Sequence, residues 1–166
     1  MPARPIVRYP AAMLKSPAAD ATPGPDAEAL ARDLVDTMQA SPACVGIAAP
    51  QIGVGVRAFA LDVTGHKKAR SCAGLVVMMN PEIVSYEGSD VAREGCMSLP
   101  DFTGNVPRAT WVRVDGLSPR GDQITIEADA FEARALQHEI DHLRGLLFLD
   151  RVVSATADVF PRKRYS

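Results

Sequence analysis

The sequence predicts an α+β domain, and three observations carry this. Two segments space their apolar residues at helical intervals. Several runs between them are rich in β-branched and apolar residues. The order is helix, then strands that can pair antiparallel, then helix. The whole chain, 1–166, is expected to be a single catalytic domain with a short tail over 153–166.

In chain order, Ser16–Pro25 is a Pro- and Ala-rich loop that ends against the first helix. That helix runs from about Asp26 to Ala40, with Asp26 as its N-cap. Leu30, Leu34 and Met38 make a narrow apolar stripe suited to packing on a sheet from one side. GIAAPQIGVGVRAFALDV gives a glycine-rich turn and then a strand near Val56–Val63. From Gly65, GHKKARSCAG is polar and basic and reads as a solvated, mobile surface loop. LVVMMN and EIVSYEG read as strands, and WVRVDGL and QITIEAD, separated by SPRGD, as a hairpin. The second helix spans about Asp129–Arg144, with Gly145 positioned to end it. The RKR run at Arg162–Arg164 reads as solvated, and no internal repeat is present.

At 166 residues, folding can hide about 70% of the unfolded surface, so a core needs no cross-links. A 23% charged fraction with a formal net charge of −2 offers nothing global for nucleic acid or a membrane, and neither is expected as a partner. No run approaches the ~20 apolar residues of a membrane span, and the N-terminus lacks a continuous hydrophobic segment. The acid-free start resembles a transit peptide only superficially, because Pro2, Pro5, Pro10 and Pro17 would break its amphipathic helix. Cys44, Cys72 and Cys96 form an odd set without framework spacing. They imply a reducing, cytoplasmic setting with a thiolate available for metal or redox chemistry.

The chemistry concentrates in ALQHEIDHLRG, Ala135–Gly145. Positions four apart on a helix share a face, so His138 and His142 can present two imidazoles to one ion. Glu139 projects about 100° away, beside the ion, where it can hold and deprotonate a water. HExxH patterns also arise by chance in surface helices, so the neighbours decide. Leu136, Ile140 and Leu143 form one apolar stripe, and Phe131 and Ala135 lie up the helix on the histidine face. Such a helix is buried, and burying His, Glu, Asp and His together is costly without a strong partner such as a cation.

A catalytic site of this kind uses three protein ligands and an open position. No Glu or His follows His142, so the third ligand comes from upstream or from Asp150 or Asp158. The upstream candidates are the three cysteines and His66. Soft thiolate suits zinc and ferrous iron. Cys96, on the small-residue turn of AREGCMSLP, is favoured, with Cys44 next.

Three phrases in register, VGIAAPQ (Val45–Gln51), EGCMS (Glu94–Ser98) and HEIDH (His138–His142), resemble the peptide deformylases. The resemblance extends from about Ile6 to Val152. It implies a mixed α+β fold in which antiparallel sheets pack around a central HExxH helix. It further implies that Cys96, His138 and His142 bind one divalent ion per chain, Fe2+ in the cell, with Zn2+, Ni2+ or Co2+ able to replace it. Glu139 would act as the catalytic acid and base, and Gln51 and the backbone N–H of Met97 would donate to the oxyanion. Val45, Gly46, Ile47, Phe131 and Ala135 would bind substrate. Glu94, Asp141 and Arg108 would orient the ligands, though ordinary ion pairing accounts for them as well.

The implied activity is removal of the formyl group from N-formylmethionyl nascent peptides by a monomer, with transient ribosome association as a further expectation. Three departures bear on it. Cys44 stands where the first motif usually has glycine, and Met97 where leucine is usual. Only sixteen residues follow Asp150, without the long C-terminal helix many bacterial members carry. A relative specialised for another formylated substrate and a catalytically idle metal-binding homologue are the competing readings. An endopeptidase is disfavoured by the missing downstream ligand.

Overall fold

Pro25 opens the first helix, α1 (Pro25–Ala40), in the computed structural model, which describes residues 3–162. Its missing N–H is no loss in a first turn, where backbone donors lack helical partners anyway. Gly24 is the N-cap, which corrects the cap read at Asp26. Asp26 and Glu28 instead lie in the first turn, where negative charge suits the positive end of the helix dipole.

Eight strands follow: β1 (Gly46–Ala48), β2 (Ala58–Leu61), β3 (Val76–Glu87), β4 (Asp90–Cys96), β5 (Leu99–Arg108), β6 (Trp111–Leu117), β7 (Gln123–Asp129) and β8 (Val159–Pro161). The second helix, α2 (Ala130–Leu143), lies between β7 and β8 in sequence. The strands make two antiparallel sheets, ordered β1-β2-β3-β6-β7 and β4-β5-β8. Both β1 and β4 are edge strands.

Strand alternation divides the larger sheet between two helices. Phe59 and Leu61 of β2 join Met78, Val114, Leu136, Ile140 and Leu143 on the α2 side. Ala58 and Ala60 join Leu30, Leu34 and Met38 on the α1 side, as the narrow stripe predicts. Leu136, Ile140 and Leu143 are almost wholly buried, each contributing about 1.5–3 kcal/mol of transfer free energy. A third cluster, with Leu14, Leu99, Val106, Leu147 and Phe148, lies against the smaller sheet.

The hairpin of β6 and β7 matches expectation, with Val114 opposite Ile126. LVVMMN and EIVSYEG prove to be one strand, β3. Asn80 adopts a left-handed φ of 51° and Pro81 brings no N–H, so the ladder to β6 slips between Met79 and Glu82 and then resumes. The β4–β5 hairpin, which contains the turn at Cys96, has no counterpart among the strands expected from sequence.

Two segments outside the expected elements make specific contacts. The basic loop from Gly65 is tied to the start of α2: Ser71 Oγ donates to Glu132 Oε1 at 2.8 Å and Ala73 N to Glu132 Oε2 at 2.7 Å. The His66 ring stacks on Phe131 with centroids 3.8 Å apart. Within the expected tail, Thr103 of β5 pairs with Phe160 of β8, and Arg162 is half-buried and donates its N–H to Asp101 O at 2.8 Å. Lys163 and Arg164 of the RKR run lie outside the described residues. No helix among the described residues is long and apolar enough to cross a membrane.

Candidate metal centre

One face of α2 and the turn after β4 bring three ligand atoms together. A sulfur of Cys96 and one ring nitrogen each of His138 and His142 lie within 4.8 Å of one another, and all three residues are buried. His142 Nε2 is 3.3 Å from Cys96 Sγ. Burial alone would raise the Cys96 thiol's pKa, but the facing His142 and His138 rings hold it well below the usual thiol range. The two rings thus favour the thiolate, the form that binds metal.

Asp150, Asp158 and His66, each able in principle to supply a third ligand, are engaged elsewhere. Asp150 pairs with Lys15 and accepts from Leu147 N, Asp158 accepts from Ser154 N, and His66 stacks on Phe131. Cys44 lines the same cleft as the cluster, its thiol donating to Gly46 O at 3.2 Å. Burial, and then the Glu139 charge, push its pKa up to about 11, so it stays a neutral thiol.

Behind the ligands lies a buried ionic network. His138 Nδ1 is 2.9 Å from Glu94 Oε1, which leaves its Nε2 facing the cluster. Glu94 also accepts from Arg108 Nε at 2.8 Å, Arg108 Nη2 at 2.9 Å and Arg134 Nη1 at 2.7 Å. Burial works against the Glu94 anion, yet the Arg108 and His138 hydrogen bonds hold its pKa well below the usual carboxylate range. Arg108 reaches on to Asp141 Oδ2 at 2.5 Å, and Asp141 accepts from Arg151 at 2.9 and 3.0 Å. A buried carboxylate with fewer donors would be strongly destabilising, so the network is a unit.

Glu139 is 4% exposed, and its Oε1 has no hydrogen-bond partner. Burial raises its pKa, opposed in part by the His138 and His142 rings. It lies so close to the backbone that a Cβ on Gly46 would come within 2.7 Å of its Oε2. An unpartnered buried carboxylate oxygen beside a thiolate and two imidazoles is the arrangement a cation and a water would satisfy.

Gln51 is clamped by its carbonyl, which accepts Ala48 N–H at 2.9 Å, while its Nε2 donates to Ser98 Oγ at 3.1 Å and Cys96 Sγ at 3.4 Å. A cleft of about 270 Å³ opens from these groups. Val45 and Gly46 form one wall, Gly95 to Met97 the other, and Phe131, Ala135, His138 and Glu139 the floor. Ile47 does not line it. One position along β1 its side chain turns to the opposite face and is fully buried against α1, so that side chain is no part of the cleft wall.

Residues that sequence alone did not bring to the site are Arg134, Ser98, Arg93, Arg162 and, as a wall of the cleft, His66. Arg134 carried a signal, since it precedes His138 by four positions and so shares its face. His66, Arg93 and Arg162 reach the cleft only through tertiary contacts.

A family model described as polypeptide deformylase matches residues 3–158. A peptide deformylase of Thermodesulfovibrio yellowstonii is 39% identical over 95% of this chain and 94% of that protein. One of Halothermothrix orenii is 48% identical over 73% of this chain and 74% of that one. Among solved structures, a peptide deformylase of Legionella pneumophila superposes with a TM-score of 0.82 at 37% identity, covering 90% of this chain and 86% of its own. The Met-Ala-Ser-bound class I type b enzyme of Acinetobacter baumannii gives 0.81 at 32% identity, covering 92% and 100%.

Proposed function

The chain belongs to the polypeptide deformylase family, and from that membership and the geometry of its cleft we infer that it hydrolyses the formyl group from the N-terminus of nascent peptides, leaving formate and a free amine. The convergence of Cys96, His138 and His142 beside the unpartnered carboxylate of Glu139 carries this reading. The idle or re-specialised relative is not favoured.

In this reading Cys96, His138 and His142 hold one divalent ion, a Lewis acid that when bound would polarise the formyl carbonyl and acidify water. One thiolate and two imidazoles suit ferrous iron or zinc. Ferrous iron is the ion we expect in the cell, and metal analysis of protein purified without oxygen tests that. Glu94 keeps His138 oriented and its tautomer fixed through Nδ1.

The substrate enters as an extended chain between β1 and β4, edge strands of the two sheets whose Gly46, Gly95 and Cys96 line the cleft. Its methionine side chain packs on Phe131, Ala135 and Val45, with the His66 ring stacked on Phe131 to close that wall. Glu139 takes a proton from the attacking water and returns it to the leaving amine. Burial favours its protonated form, which brings its proton affinity nearer to what neutral pH requires. The Met97 N–H and the Gln51 amide donate to the oxygen that gains charge, and one such donor is worth about 3 kcal/mol.

Glu139→Ala tests the assignment. Formate release from formyl-Met-Ala-Ser should fall at least about a hundredfold while the ion is retained. Equal turnover in the two proteins would remove Glu139 from the reaction.

A further inference from the structure

The mouth of the cleft carries two guanidinium groups that the reaction does not use. They come from β4 and from the end of β8, brought together by the smaller sheet. Along β4 the side chains alternate: Glu94 and Cys96 are buried toward α2, whereas Arg93 and Gly95 are exposed on the outer face. Gly95 sits opposite Thr103, and Thr103 opposite Phe160. This register carries Arg162 across the sheet until its guanidinium lies over Gly95, where an added Cβ would meet Nη2 at 2.3 Å. Arg93 stacks its guanidinium on the Phe160 ring, 3.9 Å from the centroid, and donates to Asn105 Oδ1 and Thr103 Oγ1 at 3.2 Å.

Neither arginine makes a salt bridge to a carboxylate among the described residues, and Arg162 Nε is buried without a hydrogen-bond partner. The carboxylates that line the cleft cannot neutralise them. Glu94 is saturated by Arg108, Arg134 and His138, and Glu139 is buried at the reacting group. Among the described residues, then, the two guanidinium groups line the cleft without a carboxylate partner.

Strand geometry says which part of a peptide meets it. A chain laid along the β4 edge with its methionine turned inward, onto Phe131 and Ala135, turns its next side chain outward. That is the face of Arg93 and Arg162. We propose that these two arginines form a carboxylate-selecting subsite for the residue that follows formylmethionine, favouring Asp or Glu there over Lys or Arg. The proposal rests on the deformylase reading and adds a substrate preference to it.

Amidated peptides formyl-Met-Xaa-Ser-NH2, with Xaa as Glu, Gln or Lys, remove the competing terminal carboxylate. KM should rise in the order Glu, Gln, Lys, with about a fivefold span for partly exposed charge pairs and nearly constant kcat. Dissociation constants of the deformylated products Met-Xaa-Ser-NH2 should follow the same order, a readout independent of turnover. Arg162→Gln should compress the span, Arg93→Gln/Arg162→Gln should erase it, and Arg162→Lys should largely keep it. In case the double variant loosens the β4–β5 hairpin, the native enzyme supplies a second measurement, since raising salt to about 0.5 M should flatten the order. An order absent in the native enzyme, or surviving both the double substitution and high salt, would overturn the subsite while leaving the deformylase reading intact. Turnover of none of the three peptides would instead overturn that reading, and the subsite with it.

Discussion

Gly46 shows how much a single residue constrains the chemistry. A methyl group there would come within 2.7 Å of Glu139 Oε2, so the glycine is what lets the carboxylate reach the cleft. Gly46→Ala should therefore leave the fold intact and displace Glu139 by a fraction of an ångström to an ångström. Misplacement of that size can cost about a hundredfold in kcat, readable as formate release, with an unchanged melting temperature as the control. Wild-type turnover in that variant would mean that Glu139 moves freely and its position is unimportant. At the same scale the HExxH pair was legible because its spacing is a property of the helix alone. Arg134 shares that face and could have been read the same way. Ser98, which anchors the Gln51 amide at 3.1 Å, is fixed by a contact 47 residues long and left no local trace.

At the scale of elements, α2 ends in a Schellman motif. Leu146 N donates to Asp141 O at 2.9 Å and Gly145 N to His142 O at 3.2 Å. Gly145 has φ of 79°, and a Cβ on it would meet the Lys15 backbone at 2.8 Å. Gly145→Ala should thus cost at least about 1–2 kcal/mol, from the left-handed backbone and the collision together. That is a fall in Tm of several degrees by calorimetry, and an unchanged Tm would show that the backbone at Lys15 yields. The Gly145 stop was readable because it follows a long periodic helix, and the β6–β7 hairpin because its runs alternate. The β4–β5 hairpin was not. Its inward positions include Glu94 and Cys96, and its strands carry Gly95, Gly104 and Pro107, so no apolar period survives. The charge at Glu94 is tolerable only because arginines from β5 and α2 reach it.

Across the whole molecule, the N-terminal segment acts as a strap over the site. Val7 N donates to Gln51 O at 2.7 Å, Tyr9 N to Ser98 O at 2.9 Å and Ala18 N to Leu143 O at 2.9 Å, while Lys15 pairs with Asp150. Burial opposes the Asp150 anion, but the Leu147 N–H and Lys15 together outweigh it and lower its pKa in the fold. A depressed folded pKa contributes stability that is present above the unfolded value, about 3.9, and lost as pH falls through the folded one. Asp150→Asn should therefore lower Tm at pH 7 and bring the variant and native curves together in strong acid. Curves that stay parallel down to about pH 2 would show that the Asp150 charge contributes nothing.

The two histidines ride on a helix packed against the five-stranded sheet, whereas the cysteine ends a strand of the three-stranded one. An ion gripped by all three is consequently a rivet through the seam between them. Demetallation and a gaping of the peptide groove would then be one event, and a protein stripped of its ion would lose its grip on substrate before any bond was asked to break.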